Sequence, residues 1–209
     1  MAAEIGKILL PADRIAARVR QLGRRLARAY AGREPVLVPV MKGCFLLAAD
    51  LVRAWPGPID VEFVSAKSYA GTRPGAVRLR VPRGLRSRIA GRPVLVVDDI
   101  YDTGATLAKV CRALEALGPA EVRTLVLFRK RRAPARTGPA GAARSARRRP
   151  RRRTRPAAVR PDWVGFDIPD HFVVGYGLDY CGRYRNLPYL AVLRQGRAPS
   201  PKRLWRVGD

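Results

Sequence analysis

The chain has 209 residues, enough for one large domain or two small ones, and its 47% hydrophobic content suits a buried core rather than a disordered polymer. Lys and Arg number 42 against 16 Asp and Glu, a formal charge of +26 that raises nucleic acid as a partner. No apolar run approaches the roughly 20 residues of a membrane helix, and no export-type apolar region opens the chain. Three cysteines without close spacing speak against a disulfide framework or zinc ribbon and fit a reducing cytoplasm.

In chain order, Pro11 opens a helix in which Ile15, Val19, Leu22, Leu26 and Tyr30 recur at helical spacing, with Gly32 beyond its end. Pro35 to Val40 is a short apolar run of the kind a buried strand makes. A Lys42-Gly43 turn follows, and Cys44 to Trp55 reads as a second helix. Asp60 to Ser65 is another strand. Residues 67–80 are rich in turn formers and read as a long loop, a length usually tied to function. Pro93 to Val97 is a β-branched run ending in Asp98-Asp99, and Thr103-Gly104-Ala105-Thr106 turns into a helix reaching about Leu117. Glu121 to Phe128 returns as a strand.

From Arg129 to Arg160 there are fourteen Lys or Arg and no acid, so this stretch supplies +14 and the other 177 residues share +12. Its remaining Ala, Pro, Gly, Ser and Thr cannot bury a core, so 131–160 reads as a basic, disordered insertion. Three more strands are expected at 163–166, 172–176 and 189–193. Alternation of strand and helix implies a mainly parallel sheet flanked by helices, an α/β fold in a single domain over 1–209. The last strands imply a smaller irregular or β-rich subdomain near the C-terminus, called the hood below.

The stretch Val94-Leu95-Val96-Val97-Asp98-Asp99-Ile100-Tyr101-Asp102-Thr103-Gly104-Ala105-Thr106 concentrates the chemistry. A buried strand ends in two acids, and a tight turn then enters a helix N-terminus. In open α/β sheets ligands bind beyond the carboxyl ends of the strands. Free N–H groups at a helix start, with two hydroxyls beside them, cradle a phosphate. Paired carboxylates next to such a cradle would repel the ligand unless they face hydroxyls or a cation, and a ribose diol with Mg²⁺ meets that condition. Neither a Walker A loop nor a Rossmann glycine fingerprint is present. Taken alone, an isolated Asp-x-x-Thr-Gly is as readily a strand end followed by a helix cap.

The stretch resembles the phosphoribosyl-pyrophosphate motif of type I phosphoribosyltransferases. Three other segments, in order, narrow the resemblance to the hypoxanthine-guanine phosphoribosyltransferase family: Val38-Pro39-Val40-Met41-Lys42-Gly43, Val61-Glu62-Phe63 through Lys67-Ser68-Tyr69, and Pro161 through Tyr180. It covers roughly residues 8–195 apart from the insertion. It implies transfer of the 5-phosphoribosyl group from phosphoribosyl pyrophosphate to hypoxanthine or guanine, with Mg²⁺ as cofactor, in a cytoplasmic homodimer or homotetramer.

Residue by residue, the resemblance places Lys42, beside Met41 and Gly43 and after a cis Met41–Lys42 bond, on the pyrophosphate. Asp98 and Asp99 hold the ribose hydroxyls with or through Mg²⁺; the family usually has Glu at the first of these. Asp102 lies near purine nitrogen 7 as general base or acid. Thr103, Gly104, Ala105 and Thr106 take the 5′-phosphate, and Ser68 and Tyr69 belong to the closing loop. Lys130 donates to the exocyclic oxygen of a 6-oxopurine, with Arg129 and Arg131 adjoining it as alternatives. Phe172 stacks on the purine, and the Val173 backbone meets its edge. Asp179 lies near the second Mg²⁺ and the purine 2-position, and Arg185 contacts pyrophosphate.

Outside the resemblance Phe172 and Val173 would read as core, and Arg185 as a solvated charge. Two other readings stay open from the sequence. One is a nucleic-acid-binding regulator on the same fold, using the Arg-rich insertion through counterion release. The other is a transferase preferring xanthine or a pyrimidine.

Overall fold

The computed structural model describes residues 5–68, 77–131 and 159–194. Strand β1 (Ile5–Leu10) passes through Pro11 into α1 (Ala12–Ala29), where a proline with no N–H to donate is tolerated at the helix start. Helix α1 buries Ile15, Val19, Leu22 and Leu26 along one stripe, as the 3.6-residue period requires. Strand β2 (Val36–Met41) is buried on both faces up to Val40, and α2 (Phe45–Ala54) follows directly. Next come β3 (Asp60–Val61), β4 (Val64–Ser68), β5 (Val77–Arg80) and the short α3 (Leu85–Ile89). Then β6 (Pro93–Tyr101), α4 (Ala105–Glu115), β7 (Glu121–Arg131) and β8 (Trp163–Pro169) complete the main layer, followed by β9 (Val173–Val174) and β10 (Leu190–Leu193).

Seven strands form one sheet in the order β5-β4-β2-β6-β7-β8, with β3 also paired to β2. All its pairs are parallel except β4 with β5. The sheet is covered on both faces, which is why its central strands read as continuous apolar runs rather than alternating ones. Val94, Val96 and Val126 pack on the side of α3 and α4, while Leu95, Val97, Leu125 and Leu127 pack on the side of α1 and α2. Thr124 and Asp162 lock the start of β8 onto β7: Asp162 Oδ2 accepts from the Thr124 N–H and hydroxyl, both at 2.8 Å. Among the described residues no helix is long and apolar enough to cross a membrane. Cys44 and Cys111 are buried free thiols and Cys181 an exposed one.

The structure corrects several sequence expectations. The strand expected over 60–65 is broken into β3 and β4, both lying beside β2; at the break the Glu62 N–H still donates to the Leu37 carbonyl at 2.9 Å. The long loop at 67–80 is shorter than expected, because its two ends are the arms of an antiparallel hairpin, Lys67 opposite Arg78. Residues 69–76, including Tyr69, lie outside the described residues. Strand β6 does not stop at the acids: it stays paired to β7 through Tyr101 opposite Arg129, so Asp98 and Asp99 sit within the strand. Strand β7 likewise runs on to Arg131. The hood is not purely C-terminal, since β1 pairs with β10, and β10 with β9, in a separate three-stranded antiparallel sheet. Neither β1 nor α3 is foreseen from the sequence. Most of the basic insertion, 132–158, lies outside the described residues, and Val159 already packs against the α3/α4 core.

Candidate active site

The carboxyl ends of β2, β6 and β7 point the same way because the strands are parallel, and a cavity of about 680 Å³ opens there, roofed by the hood segment. Such a volume suits a nucleotide-sized ligand. From the end of β2 come Met41, Lys42 and Gly43; the Met41–Lys42 peptide bond is cis. A Cβ on Gly43 would fall 1.7 Å from Asp99 Oδ2, so glycine is the residue that lets this carboxylate rest on the loop backbone.

From β6 come Asp98 and Asp99, only 7% and 9% exposed. Asp98 Oδ1 accepts from the Asp99 N–H at 3.1 Å, and Asp99 Oδ1 from the Ile100 N–H at 2.7 Å. Burial pushes both carboxyls above the usual carboxylate range, and for Asp98 the neighbouring Asp99 charge adds to it. Two acids kept together inside a cavity, with oxygen as the only donor type, are a site that favours a hard divalent cation or sugar hydroxyls. Among the described residues no group of three or more His, Cys, Asp or Glu is arranged to hold a metal by itself. Mg²⁺ there would take further oxygens from water or a phosphate-bearing ligand, as it commonly does.

The turn after β6 brings Asp102 and Thr106 to the cavity wall. Gly104 caps α4 with φ 75°, a left-handed conformation that glycine adopts without steric penalty, and the Ala105 N–H donates to Thr103 Oγ1 at 3.3 Å. Thr103, Gly104 and Ala105 shape this turn without lining the cavity. Unsatisfied N–H groups of a first helical turn attract anions, which suits the position of Thr106.

Strand alternation sorts the three basic residues at the end of β7. Arg129 and Arg131 both reach across to Asp167 on β8: Arg129 Nε lies 2.6 Å from Oδ1, and Arg131 Nη2 3.0 Å from Oδ2. Lys130 points to the other side and lines the cavity, with Nζ 3.3 Å from Asp170 Oδ1. From the hood come Phe172, Val173, Leu178, Asp179 and Arg185. Phe172 is 44% exposed despite its size, and its ring meets Tyr180 edge-on with centroids 5.6 Å apart. Arg185 is held on two sides: Nη1 donates to the Gly177 carbonyl at 2.6 Å, and Nη2 pairs with Asp179 Oδ1 at 2.6 Å. The other Asp179 oxygen accepts from the Gly182 N–H at 2.8 Å.

Twelve of the residues singled out from the sequence therefore share one cavity: Met41, Lys42, Gly43, Asp98, Asp99, Asp102, Thr106, Lys130, Phe172, Val173, Asp179 and Arg185. Ser68 ends β4, and its side chain, like all of Tyr69, lies outside the described residues. Sequence reasoning missed Val40, Ser65, Ala66, Ile100 and Leu178, which complete the lining. Ser65 stands opposite Met41 in the parallel β2–β4 pair and so at the same edge of the sheet, a register that no period in the sequence signals.

Comparison with known proteins agrees with this architecture. Residues 6–180 match the family model described as phosphoribosyl transferase domain. The hypoxanthine-guanine phosphoribosyltransferase of Mycobacterium avium is 37% identical over 196 residues, covering 91% of this chain and 86% of its own. The bifunctional protein TilS/HprT of Listeria innocua is 33% identical over 191 residues; there this chain spans only 26% of the relative's length. Among solved structures, the hypoxanthine phosphoribosyltransferase of Trypanosoma cruzi, in complex with the product IMP, superposes with a TM-score of 0.71 at 33% identity, covering 91% of this chain and 95% of that one. By sequence and by fold, the chain belongs to the hypoxanthine-guanine phosphoribosyltransferase family.

Proposed function

We propose that the protein transfers the 5-phosphoribosyl group from 5-phosphoribosyl 1-pyrophosphate to hypoxanthine or guanine, giving IMP or GMP and pyrophosphate, a purine-salvage reaction. The observation that carries this reading is the shared cavity. It sets the cations Lys42 and Arg185, the buried acids Asp98 and Asp99, the helix turn at Thr106, and the pair Phe172 and Lys130 around one space.

Each group has a defined task in that reaction. The bond from the anomeric carbon to pyrophosphate breaks, its electron pair leaving with the pyrophosphate, and a purine nitrogen bonds to that carbon. Lys42 and Arg185 face the negative charge that develops on the leaving group. Arg185 is already anchored by Asp179 and the Gly177 carbonyl, so its ordering cost is met before substrate arrives. Asp98 and Asp99 hold the ribose hydroxyls, and the α4 turn at Thr106 the 5′-phosphate. Asp102 receives the proton that the purine gives up. Phe172 offers a ring face to the purine, and Lys130 a donor to its 6-oxygen; adenine would present an amino group to that donor instead.

Mg²⁺, held by Asp98 and Asp99 with a second ion near Asp179, would supply further neutralisation of the pyrophosphate charge. A homodimer or homotetramer completes the proposal: Phe45 and Phe63, 38% and 48% exposed, are apolar surface that a second copy could cover. Sedimentation equilibrium returning only monomer would remove that part.

The deciding experiment supplies phosphoribosyl pyrophosphate and Mg²⁺ with hypoxanthine, guanine, xanthine or adenine in turn, and follows nucleotide formation. Turnover of hypoxanthine or guanine is expected, and turnover of adenine alone would refute the assignment of Lys130.

A further inference from the structure

Two parts of the cavity wall come from opposite ends of the chain. The pyrophosphate loop, Met41 to Gly43, runs straight into α2, whereas Asp179 and Arg185 belong to the hood segment that follows β9. If Lys42 and Arg185 are to meet the same anion, these parts must keep a fixed register.

Asp50 and Tyr176 join them directly. The Tyr176 hydroxyl donates to Asp50 Oδ2 at 2.6 Å across 126 residues of sequence, and Arg53 holds the other Asp50 oxygen. Tyr176 is buried, and burial followed by the Asp50 carboxylate pushes its phenol above the usual range, so it remains a donor. Its backbone has φ 47°, a left-handed conformation costly for a residue with a Cβ. Glycine would sit there more easily, so the strain points to a side chain with a task.

The backbone around it is tied in the same way. The Tyr176 N–H donates to the Leu187 carbonyl at 2.7 Å and the Gly177 N–H to the Arg185 carbonyl at 3.0 Å. The Gly177 carbonyl in turn receives the Arg185 guanidinium. A Cβ on Gly177 would fall 2.0 Å from the Gly43 carbonyl oxygen, so the hood backbone lies against the pyrophosphate loop itself. Tyr176 therefore stands one residue from the contact between the two walls, and its hydroxyl reaches the helix that begins at the loop.

We propose that Asp50 and Tyr176 are positioning residues for the transfer reaction: their hydrogen bond holds the hood segment 173–185 in register with the pyrophosphate loop, so that Arg185 and Lys42 address one anion. The inference rests on the functional reading above. Neither residue lines the cavity, so each acts through Arg185 and Gly43 rather than on substrate.

The test compares the full chain with Tyr176→Phe, which deletes one oxygen. Calorimetric titration with Mg²⁺ and inorganic pyrophosphate measures anion affinity, steady-state kinetics measures KM and kcat, and thermal melting checks the fold. Losing a hydrogen bond to a charged group is expected to raise Kd for pyrophosphate and KM for phosphoribosyl pyrophosphate about tenfold. Asp50→Asn keeps an acceptor oxygen and should fall between the parent and Asp50→Ala. The double variant Tyr176→Phe/Asp50→Ala should bind no more weakly than the worse single one.

A variant that melts earlier but binds pyrophosphate as the parent does would overturn the proposal, leaving the pair a packing contact. Additive losses in the double variant would overturn it as well. Transfer by the parent protein is scored separately. A parent that transfers nothing refutes the functional reading, whereas the variant-to-parent affinity ratio decides the positioning role of Asp50 and Tyr176.

Discussion

Asp102, the residue proposed to receive the purine proton, stands at the wall of the cavity between the acids of β6 and the first turn of α4. Asparagine has nearly the same shape and cannot take up that proton. Asp102→Asn is therefore expected to lower kcat by about 100-fold or more, the usual worth of a positioned general base. Its affinity for phosphoribosyl pyrophosphate should stay within a few-fold of the parent, because Lys42, Arg185 and the α4 turn are untouched. Steady-state kinetics with a donor titration checks both halves, and near-normal turnover would remove the proton-transfer role. At this scale the local motif was easy to find, yet partner choice was not. Arg129, Lys130 and Arg131 are three adjacent cations in the sequence. Only the pleat of β7, with Asp167 waiting on β8, sends two of them to one face and leaves Lys130 for the cavity.

Among the elements, the β7–β8 pair shows how such a partner stabilises the sheet edge. Arg129 and Arg131 hold the Asp167 carboxyl at about pH 2, well below its usual range, chiefly through hydrogen bonds from the guanidinium groups. A depressed folded-state value means the charged carboxylate favours the fold. The stabilisation is fully present above the unfolded value of about 3.9 and fades as pH falls through about 2. Because both arginines are solvent-exposed, its worth is about 1 kcal/mol at most. Asp167→Asn should therefore melt slightly earlier than the parent at pH 7, with the difference shrinking towards pH 2. Melting curves across that range test it, and a gap that widens in acid would contradict the assignment.

For the molecule as a whole, the direction of β7 and β8 bears on the basic insertion. The two strands are parallel neighbours, Arg131 opposite Pro169, so the chain must travel back along the sheet before β8 can begin at Trp163. A crossover of that kind needs about a dozen residues. The segment 132–158 carries ten arginines and no acid, and it lies outside the described residues. Replacing it with an eight-residue Gly/Ser linker should preserve transfer activity while reducing the formal charge to +16. Joining Arg131 directly to Val159 leaves too short a return path and should abolish folding. Circular dichroism and the transfer assay on both deletions test this, and a folded, active direct join would contradict the strand pairing.

The alternation of buried strands and amphipathic helices, the acid-rich turn at Asp98 to Thr106 and the separate basic block were legible from residues alone. Each depends on local periodicity or composition, which tertiary contacts only reinforce. What lay beyond reach was long-range pairing: β1 against β10 to build the hood, the hairpin made by the ends of the 67–80 segment, and Tyr176 against Asp50. No period in the sequence encodes which distant backbone a strand edge will meet, or which carboxylate a guanidinium will find. The burial of Asp98 and Asp99 was decided the same way. Adjacent acids in a polar turn would be solvated, and it is the continuation of β6 alongside β7, with Gly43 close against the Asp99 carboxylate, that takes them out of water.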